Sequence, residues 1–434
     1  MAASFLTDPI FGDADVAYLF ADTSVAQKLC EVEAALAEAQ GELGIIPAAA
    51  SEAIAKTARG LSPDFAALAG GTASAGVPVP VLVAALRRAV GEPHGDWVHW
   101  GATSQDILDG AIVLCCREAV GLLSVRLAGL IDTLGAQSTR YASTVFAGRT
   151  RGQVATPITF GLRIAQWAQP LIHLETELPA LKGRVLRIQF GGASGAQTAI
   201  APAGPELAEA LARRLGLASG PPWHSDRTPI RHLTDWLAKV VSALAKLAGD
   251  LVLMSRSEIA EASAGAGGGS STMPQKSNPV TAEAVLSISK FAQGPVAALT
   301  ASAVHAEERD GGNWAVEWLA MPQLFTLAGA ALRHGQTLAE TLEADADVMA
   351  KRLETMPEVM AEAAVFAMAP HLGRQMAQRL VADALAAPEG FAEALNSRGP
   401  ENLDWEAVLD PRSVVAPSTR VAESIFACRK SPKV

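Results

Sequence analysis

A glycine-rich run followed by hydroxyl, ammonium and amide side chains is the strongest chemical pattern in the sequence. Residues 264–268 carry almost no side-chain atoms, and Ser270, Ser271, Lys276 and Asn278 follow them. Glycine adopts backbone conformations that are closed to other residues, so this segment is predicted to be a mobile loop. A flexible loop that carries a hydroxyl and a cation is typical of an active site that closes over its substrate. An inter-helix linker would have a similar composition.

A second group of polar side chains lies where a long helix is predicted to begin. His99, Thr103, Ser104 and Gln105 stand at this point, and Thr103 with Asp106 fits a capping box. Free backbone N–H groups and the helix dipole make a helix N-terminus attractive to a carboxylate. We therefore expect an anion-binding site here. On the residues alone, Thr103 and Ser104 could serve only as caps, and His99 could be a partly buried structural histidine.

Two arginines complete the set of candidate binding groups. Arg151 and Gln153 lie in a glycine-flanked segment, and Arg309 follows two glutamates and precedes Asp310. The chain has a formal net charge of -10 at pH 7, so binding of an acidic substrate requires that a few cations be concentrated locally. We expect both arginines to contact carboxylates. Arg151 could instead be a surface or ion-paired arginine, and residues 307–310 an exposed charge run.

These segments resemble the signature regions of the fumarase/aspartase superfamily. Residues 269–279 read GSSTMPQKSNP and match the superfamily pattern GSSxMPxKxNP, which is long and specific. Residues 99–106 (HWGATSQD) resemble its first substrate-binding segment, and residues 148–157 (GRTRGQVATP) resemble its second. The resemblance extends over nearly the whole chain, as far as residues 409–411.

Three further segments resemble one branch of that superfamily, the 3-carboxy-cis,cis-muconate cycloisomerases. They are the glycine-rich turn QFGGASG at residues 189–195, PWHSDR at residues 222–227 and WAVEW at residues 314–318. As a phosphate-binding loop, the turn lacks the lysine and hydroxyl of a Walker motif. Each segment is weak evidence alone, and together they favour the cycloisomerase branch. Gln275 and the dipeptide Val77-Pro78 depart from the branch pattern beside the expected site, which leaves the substrate open.

The second segment departs from the superfamily pattern at an informative position. Many members have a histidine where this chain has Arg151, and that histidine helps to protonate the leaving group; the branch more often has a tryptophan. A guanidinium stays protonated at any relevant pH and cannot supply the proton, so either another residue protonates the leaving group or the leaving group needs no proton. Amine leaving groups need one, whereas a carboxylate leaves as a stable anion. Arg151 therefore favours a carboxylate or a similar anion as the leaving group.

The resemblance implies a role for each candidate residue. Ser270 would be the base that removes a proton from the carbon next to a carboxylate, with Lys276, Asn278 and Arg309 stabilising the doubly charged aci-carboxylate. Lys276 and His99 are assigned with Ser270 to the catalytic group. The expected substrate-binding residues are Thr103, Ser104, Gln105, Arg151, Gln153, Ser271, Met273, Asn278 and Arg309. No metal or organic cofactor is implied, because histidines and acids do not cluster at ligand spacing.

The elements that must position these residues are predicted to be helices. Half of the residues are hydrophobic and only 5% are aromatic. Apolar residues recur at heptad spacing from Leu233 to Met254, which predicts a long bundle helix. Similar patterns begin near Thr103 and run over 157–188, 279–304 and 318–342. Five long helices between residues 96 and 345 indicate a central antiparallel bundle.

The predicted organisation has three parts. Residues 1–95 form an N-terminal helical domain, residues 96–345 the central five-helix bundle with the catalytic loop at 263–279, and residues 346–434 a small C-terminal helical domain. The resemblance implies an all-α, three-domain fold of the fumarase/aspartase type. It also implies a homotetramer with a twenty-helix core, in which each active site takes segments from three subunits.

The composition limits the binding partners and the cellular compartment that we expect for this protein. No long basic run is present, so nucleic acid is not an expected partner. We expect no membrane span, because no apolar run is long enough, and no signal peptide. Four cysteines without metal spacing indicate reduced thiols and a cytoplasmic protein. The expected partner is a small di- or tricarboxylate.

Three functions remain open on the sequence. The first is a cycloisomerase of aromatic catabolism, which adds a carboxylate of 3-carboxymuconate to a double bond and forms a carboxymuconolactone. The second is a fumarate-forming lyase that acts on a succinate with an anionic leaving group such as nitrite, or, less well supported, on adenylosuccinate. The third is a non-catalytic structural protein like the lens crystallins of this superfamily, which the joint presence of Ser270, Lys276, Asn278 and Arg309 disfavours.

Overall fold

The computed structural model describes residues 4–269 and 272–429, and within these ranges the protein is built almost entirely of helices. The all-α prediction is therefore confirmed. The alanine-rich composition explains this result, because alanine loses no side-chain entropy in a helix.

Within the described ranges, six helices come first, and the next six include the five long ones. The first six are α1 (Asp8–Phe11), α2 (Ala14–Leu19), α3 (Asp22–Glu42), α4 (Ala48–Gly60), α5 (Phe65–Ala75) and α6 (Val79–Val90). The next six are α7 (Ser104–Arg140), α8 (Phe160–Val185), α9 (Gly204–Leu215), α10 (Thr228–Met254), α11 (Val280–Ala301) and α12 (Gly311–Glu340). The last six are α13 (Ala346–Glu354), α14 (Ala361–Leu372), α15 (Arg374–Leu385), α16 (Phe391–Arg398), α17 (Trp405–Leu409) and α18 (Ala416–Ala427).

Short strands form three antiparallel pairs. They are β1 (Val145–Thr150) with β2 (Gln153–Thr159), β3 (Ala262–Ser263) with β6 (Glu343–Ala344), and β4 (Gly268–Gly269) with β5 (Ser277–Asn278). Two of these pairs lie at predicted functional segments: the first has Gln153 on β2 and Arg151 in its connecting turn, and the last belongs to the glycine-rich loop.

The heptad stripe on α10 is confirmed as a buried seam. All seven of its apolar residues are at most 4% exposed: Leu233, Leu237, Val240, Leu244, Leu247, Leu251 and Met254. The predicted start of α7 is also confirmed, because the Asp106 carboxylate accepts the Thr103 N–H at 3.0 Å, as in a capping box.

The prediction of a helix from residue 157 was wrong at its N-terminal end. Residues 153–159 form β2, which pairs with β1, and α8 begins only at Phe160. Arg151 and Gly152 connect the two strands, with φ angles of 55° and 79°. Two consecutive residues with positive φ are typical of the tight turns that match strand twist, and glycine adopts this conformation without strain.

The chain divides into two compact units. The first comprises residues 1–125, 177–241 and 288–331, and the second residues 126–176, 242–287 and 332–434. The boundaries fall within the five long helices. In the second unit, the C-terminal helices pack around a buried cluster that includes Met368, Phe391 and Trp405. The division into three domains at residues 95 and 345 stays a prediction.

One helix of the described residues, α12, is long and apolar enough to cross a membrane. Of its most apolar stretch, 61% is buried inside the protein. A single helix of this kind is weak evidence for a membrane span. In residues 4–269 and 272–429, no group of three or more His, Cys, Asp or Glu side chains could hold a metal ion.

Candidate active site

Each compact unit carries a group of predicted site residues. The first unit contains His99, Thr103, Ser104, Gln105 and Arg309. The second contains Arg151, Gln153, Met273, Lys276 and Asn278. Ser270, the predicted base, and its neighbour Ser271 lie outside the described residues.

The segment before α7 turns sharply into the helix. Gly101 has a φ of 70°, and a Cβ at this position would come within 2.0 Å of Ile200 Cδ1, so only glycine fits. Thr103 and Ser104 follow and are both partly exposed. Because a helix N-terminus carries unsatisfied N–H groups and the positive end of the dipole, these two hydroxyls lie where a carboxylate is favoured.

His99 has a carboxylate partner inside the first unit. Its Nδ1 lies 2.6 Å from Oε1 of Glu33 on α3, and the Glu33 side chain is only 1% exposed. Burial lowers the pKa of His99, but the charge and hydrogen bond of Glu33 outweigh burial, and the net pKa is raised. This contact supplies a structural role for His99; its assignment as a catalytic group stays a prediction.

We expect the His99→Asn variant to be less stable than the wild type by about 2 kcal/mol near pH 6, because a hydrogen bond to a buried charge is lost. Asparagine is chosen because it tolerates the positive φ of 62° at this position. Since the folded-state pKa of His99 is raised, the ion pair contributes fully below pH 6.5, and its contribution disappears as the pH rises through the folded value.

Urea denaturation of both proteins at pH 6 and pH 9 measures this difference. Glu33→Gln is the control, because it removes the buried charge while leaving an oxygen acceptor for the imidazole. An equal loss of stability at both pH values in His99→Asn would show that the ion pair does not contribute.

Gln105 and Arg309 are joined by a direct hydrogen bond. The Arg309 Nε donates to Gln105 Oε1 at 2.9 Å, and Arg309 Nη2 donates to the carbonyls of Ala193 at 3.1 Å and Gly192 at 3.4 Å. Every one of these acceptors is neutral, and no ion pair to Arg309 is found within residues 4–269 and 272–429. The guanidinium is therefore held in place with its positive charge unneutralised by these partners.

The glycine-rich turn that supplies those carbonyls is anchored from its other side by Asp106. Oδ1 of Asp106 accepts from the Gly191 N–H at 2.7 Å and Gln189 Nε2 at 3.3 Å, and Oδ2 accepts from the Gly192 N–H at 3.0 Å. Burial raises the pKa of Asp106, and these hydrogen bonds lower it. Burial is the larger effect, and the resulting pKa is about 6. Asp106 thus connects the first turn of α7 to the turn that holds Arg309.

A buried ion cluster lies behind Gln105. Arg227 donates to Asp109 at 2.9 Å and to Glu317 at 2.6 Å, and all three side chains are at most 5% exposed. Trp314 Nε1 donates to Asp109 at 2.8 Å, and the Trp223 ring lies 4.5 Å from the guanidinium carbon of Arg227. The PWHSDR and WAVEW segments therefore meet α7 in one buried network of ion pairs and hydrogen bonds, which has a structural role.

Two imidazoles with lowered pKa values lie near this cluster. Burial and the cations Arg309 and Arg227 lower the pKa of His224, and burial and Arg227 lower the pKa of His305. His224 packs against the glycine-rich turn so closely that a Cβ at Gly195 would come within 1.9 Å of its Cε1. Glycine at this position is thus required by a close approach.

In the second unit, the β1–β2 hairpin presents Arg151 and Gln153 to solvent. Both side chains are exposed, and Arg151 occupies the turn itself. On the same hairpin, Arg149 turns inward and pairs with Glu261. The two arginines of this segment therefore have different surroundings, and Arg151 is the one available to a ligand.

The predicted catalytic loop is a β-hairpin at its base. Gly268 pairs with Asn278, and Gly269 with Ser277. Beyond this pair, Met273 and Lys276 are exposed, and the Lys276 N–H donates to the Met273 carbonyl at 3.0 Å. The hairpin therefore places Lys276 in a turn on the outer part of the loop, with Asn278 partly buried at its base.

The glycines of this loop have a packing role as well as a conformational one. A Cβ at Gly267 would lie 2.1 Å from Ser277 Oγ, and one at Gly268 would lie 2.4 Å from Val280 Cγ2. Real Cβ atoms essentially never come closer than 3.0 Å to another heavy atom, so a side chain at either position would force its neighbour to move. The absence of side chains, which indicated mobility in the sequence, is thus also what allows the hairpin to close.

A buried carboxylate, Glu261, fixes the base of the loop. Its side chain is fully buried, and it pairs with Arg149 at 2.6 Å and with Arg352 on α13 at 2.9 Å. Its carbonyl accepts the Asp345 N–H at 2.9 Å. Glu261 is not among the residues predicted from the sequence, because its ion-pair partners Arg149 and Arg352 are both distant from it along the chain.

Comparison with known proteins places this geometry among lyases. Residues 7–294 match a family model described as a lyase. The 3-carboxy-cis,cis-muconate cycloisomerase of Pseudomonas aeruginosa is 39% identical over 87% of this chain and 84% of its own length. The crystal structure of the 3-carboxy-cis,cis-muconate lactonizing enzyme from Pseudomonas putida superposes with a TM-score of 0.90 at 32% identity, over 98% of this chain and 99% of that one.

A relative with another reaction is also similar. The nitrosuccinate lyase of Streptomyces davaonensis is 34% identical over 94% of this chain and 91% of its own length. The predicted resemblance and the predicted fold type are both confirmed by these comparisons.

Proposed function

The chain belongs to the fumarase/aspartase superfamily of lyases, and on that premise we propose that it is a 3-carboxy-cis,cis-muconate cycloisomerase. The observation that carries the proposal is the state of Arg309, a guanidinium held by neutral acceptors beside the N-terminus of α7. A site with an unneutralised cation and a helix dipole suits a substrate with several carboxylates. Similarity to cycloisomerases over most of the chain supports this choice of substrate.

The proposed reaction is an isomerisation, in which the substrate and the lactone have the same elemental composition. One carboxylate oxygen of the substrate adds to a carbon of the double bond, and a proton is added to the neighbouring carbon. In reverse, Ser270 removes that proton from the carbon next to a carboxylate, and the ring carboxylate leaves. The intermediate carries two negative charges on one carboxylate, so its stabilisation decides the rate.

The remaining predicted residues have distinct tasks in this proposal. Lys276, Asn278 and Arg309 bind carboxylates and stabilise the aci-carboxylate. Orientation of the substrate is assigned to Thr103, Ser104, Gln153, Ser271 and Met273. Because these groups are neutral or cationic, they are suited to an anionic substrate and intermediate.

Arg151 supports an anionic leaving group. Its side chain is exposed at the turn between β1 and β2, where a ligand can reach it. A guanidinium stabilises a departing carboxylate by charge but cannot protonate a departing amine. The same property fits nitrite, so a nitrosuccinate lyase is the second candidate, and the similarity to the Streptomyces davaonensis enzyme favours it over other lyases.

A turnover assay with 3-carboxymuconate and a panel of substituted succinates distinguishes the two candidates. We expect loss of the ultraviolet absorbance of 3-carboxymuconate, with a kcat/KM at least 100-fold above that for nitrosuccinate. Appearance of fumarate from nitrosuccinate as the faster reaction would favour the second candidate. No turnover of any substrate would favour a structural, non-catalytic protein.

We also propose a cytoplasmic homotetramer in which each active site combines segments from three subunits. The loop at residues 263–279 and the Arg309 region would then come from different protomers. Exposed apolar residues on the long helices, such as Val125, Phe291 and Leu319, support burial against other subunits.

A further inference from the structure

We propose that Gln105 does not touch the substrate but is a positioning residue for Arg309. The inference rests on the proposed function only in taking Arg309 as the group that binds a substrate carboxylate. Gln105 is 0% exposed, whereas Thr103 and Ser104 beside it are partly exposed. A side chain with no accessible surface in this unit cannot contact a small molecule, and its polar atoms must be satisfied by the protein itself.

The surroundings of Gln105 fix which end of its amide faces Arg309. One end lies 2.8 Å from the His224 carbonyl and 3.2 Å from Asp109 Oδ2, and both of these atoms are acceptors. The NH2 group must therefore point to them, so the amide oxygen points to Arg309. Asp109 is itself held by Arg227 and Trp314. The buried ion cluster thus sets the orientation of the amide, and the amide sets the orientation of Arg309.

The hydrogen bonds of Arg309 leave one part of the guanidinium for a ligand. Nε is bound to Gln105, and Nη2 is bound to the carbonyls of Gly192 and Ala193. No hydrogen bond to Nη1 is found within residues 4–269 and 272–429. With Nε and Nη2 occupied, the side-on bidentate edge of the guanidinium is already used, and Nη1 remains to meet a carboxylate.

The chemical identity of residue 105 matters as much as its shape. A glutamate has nearly the same shape as glutamine, but its carboxylate would pair with Arg309 and neutralise it before any substrate arrived. Glutamine supplies an equally directional acceptor with no charge. The residue is thus suited to hold an arginine whose charge is needed elsewhere.

Gln105→Met tests the positioning role. Methionine keeps the volume but removes the acceptor, so Arg309 loses a charge-assisted bond and its fixed orientation. We expect KM to rise about 10- to 100-fold, with a smaller change in kcat, because the binding of the substrate carboxylate is weakened in both ground and transition states. An unchanged KM accompanied by a lower melting temperature would overturn the proposal, since a merely structural residue would produce that result.

Gln105→Glu provides an independent readout through its pH profile. The introduced carboxyl would be most fully protonated at low pH. As the pH rises it would ionise, and its negative charge would then cancel the positive charge of Arg309. The KM ratio of this variant to the wild type should therefore increase by at least 10-fold from pH 5.5 to pH 8.5. A flat ratio would contradict the proposal. Gln137→Glu is the matched control, because Gln137 is a buried amide that donates to the Ala339 carbonyl at 2.9 Å in the second unit.

Failure of the proposed function and failure of this inference give different results. The kinetic comparison uses whichever carboxylate of the substrate panel the wild type converts, so a substrate other than 3-carboxymuconate refutes the function and leaves the inference testable. If the wild type converts none, calorimetric binding of tricarballylate replaces KM. Equal tricarballylate affinity of the wild type and Gln105→Met would overturn the inference.

Discussion

Ser270→Ala is expected to lower kcat by about 1,000-fold, with KM changed little, because the hydroxyl acts on the proton only in the transition state. A serine is a weak base unless its alkoxide is stabilised, and the turn that carries Lys276 on the same loop can supply the cation. Steady-state kinetics with 3-carboxymuconate measures the effect. Turnover within a factor of ten of the wild type would refute the assignment of Ser270 as the base.

The neighbouring hydroxyl provides the matched control. Ser271→Ala removes the same atoms one residue away, and we expect less than about a tenfold loss, which corresponds to one neutral hydrogen bond. If the two variants lose activity equally, the loop contributes by its shape or binding and not through one base.

Mixed tetramers test whether each active site is shared between protomers. If Ser270 and Arg309 act in one site but come from different protomers, inactive Ser270→Ala and Arg309→Met chains should complement each other. Random mixing of equal amounts would leave roughly a quarter of the sites with both wild-type residues. Mixtures that stay as inactive as their components would refute sharing of the site between these two residues.

Periodicity predicted the helices well where one face is continuously apolar, as in α10. It failed where the starting signal was a polar cap. The helix predicted from Trp318 begins at Gly311, because Asp310 accepts the Asn313 N–H at 3.0 Å and so caps an N-terminus that contains two glycines. In the sequence, Asp310 read as part of a charge run. Local signals compete, and only the three-dimensional structure shows which of them is used.

The sequence offered candidate segments for the site, but it did not show how their side chains connect. Gln105 was expected to bind substrate because of its position near a helix N-terminus, yet the structure buries it completely. Its direct contact with substrate stays untested, and the burial argues for an indirect role. Arg227 and Asp109 are 118 residues apart, so no spacing rule could pair them. Motifs can identify functional segments, whereas the partners of each side chain depend on how distant segments fold together.

Arg227→Met is expected to be the most destabilising of these substitutions, by about 3–5 kcal/mol, because it leaves two buried carboxylates without a cation. Arg227 makes four hydrogen bonds to Asp109 and Glu317. Burial alone would lower the pKa of Arg227. The two carboxylates raise this pKa by a larger amount, so the guanidinium stays charged. Removal of a charge that two acids require is more costly than removal of an exposed pair.

The loss should depend on pH in a direction that follows from the acids left behind. Burial raises the pKa of Glu317 even with Arg227 present. Without the arginine, Glu317 should take up a proton more readily still in the folded state, so the variant gains stability towards low pH and loses it as the pH rises through the folded pKa of Glu317. Thermal unfolding at pH 5 and pH 8, at fixed protein concentration, should therefore show the larger deficit at pH 8.

Two comparisons separate the ion cluster from general effects of the substitution. Arg231→Met removes an exposed arginine in the first turn of α10, whose side chain donates to the Thr300 carbonyl at 3.1 Å, and we expect a change within about 0.5 kcal/mol. Adding Asp109→Asn and Glu317→Gln to Arg227→Met removes the unpaired charges and should recover most of the stability. If that triple variant is no more stable than Arg227→Met, the cost lies in packing. Because Asp109 also orients Gln105, recovery of stability without recovery of a low KM would show that the cluster both stabilises the fold and positions Arg309.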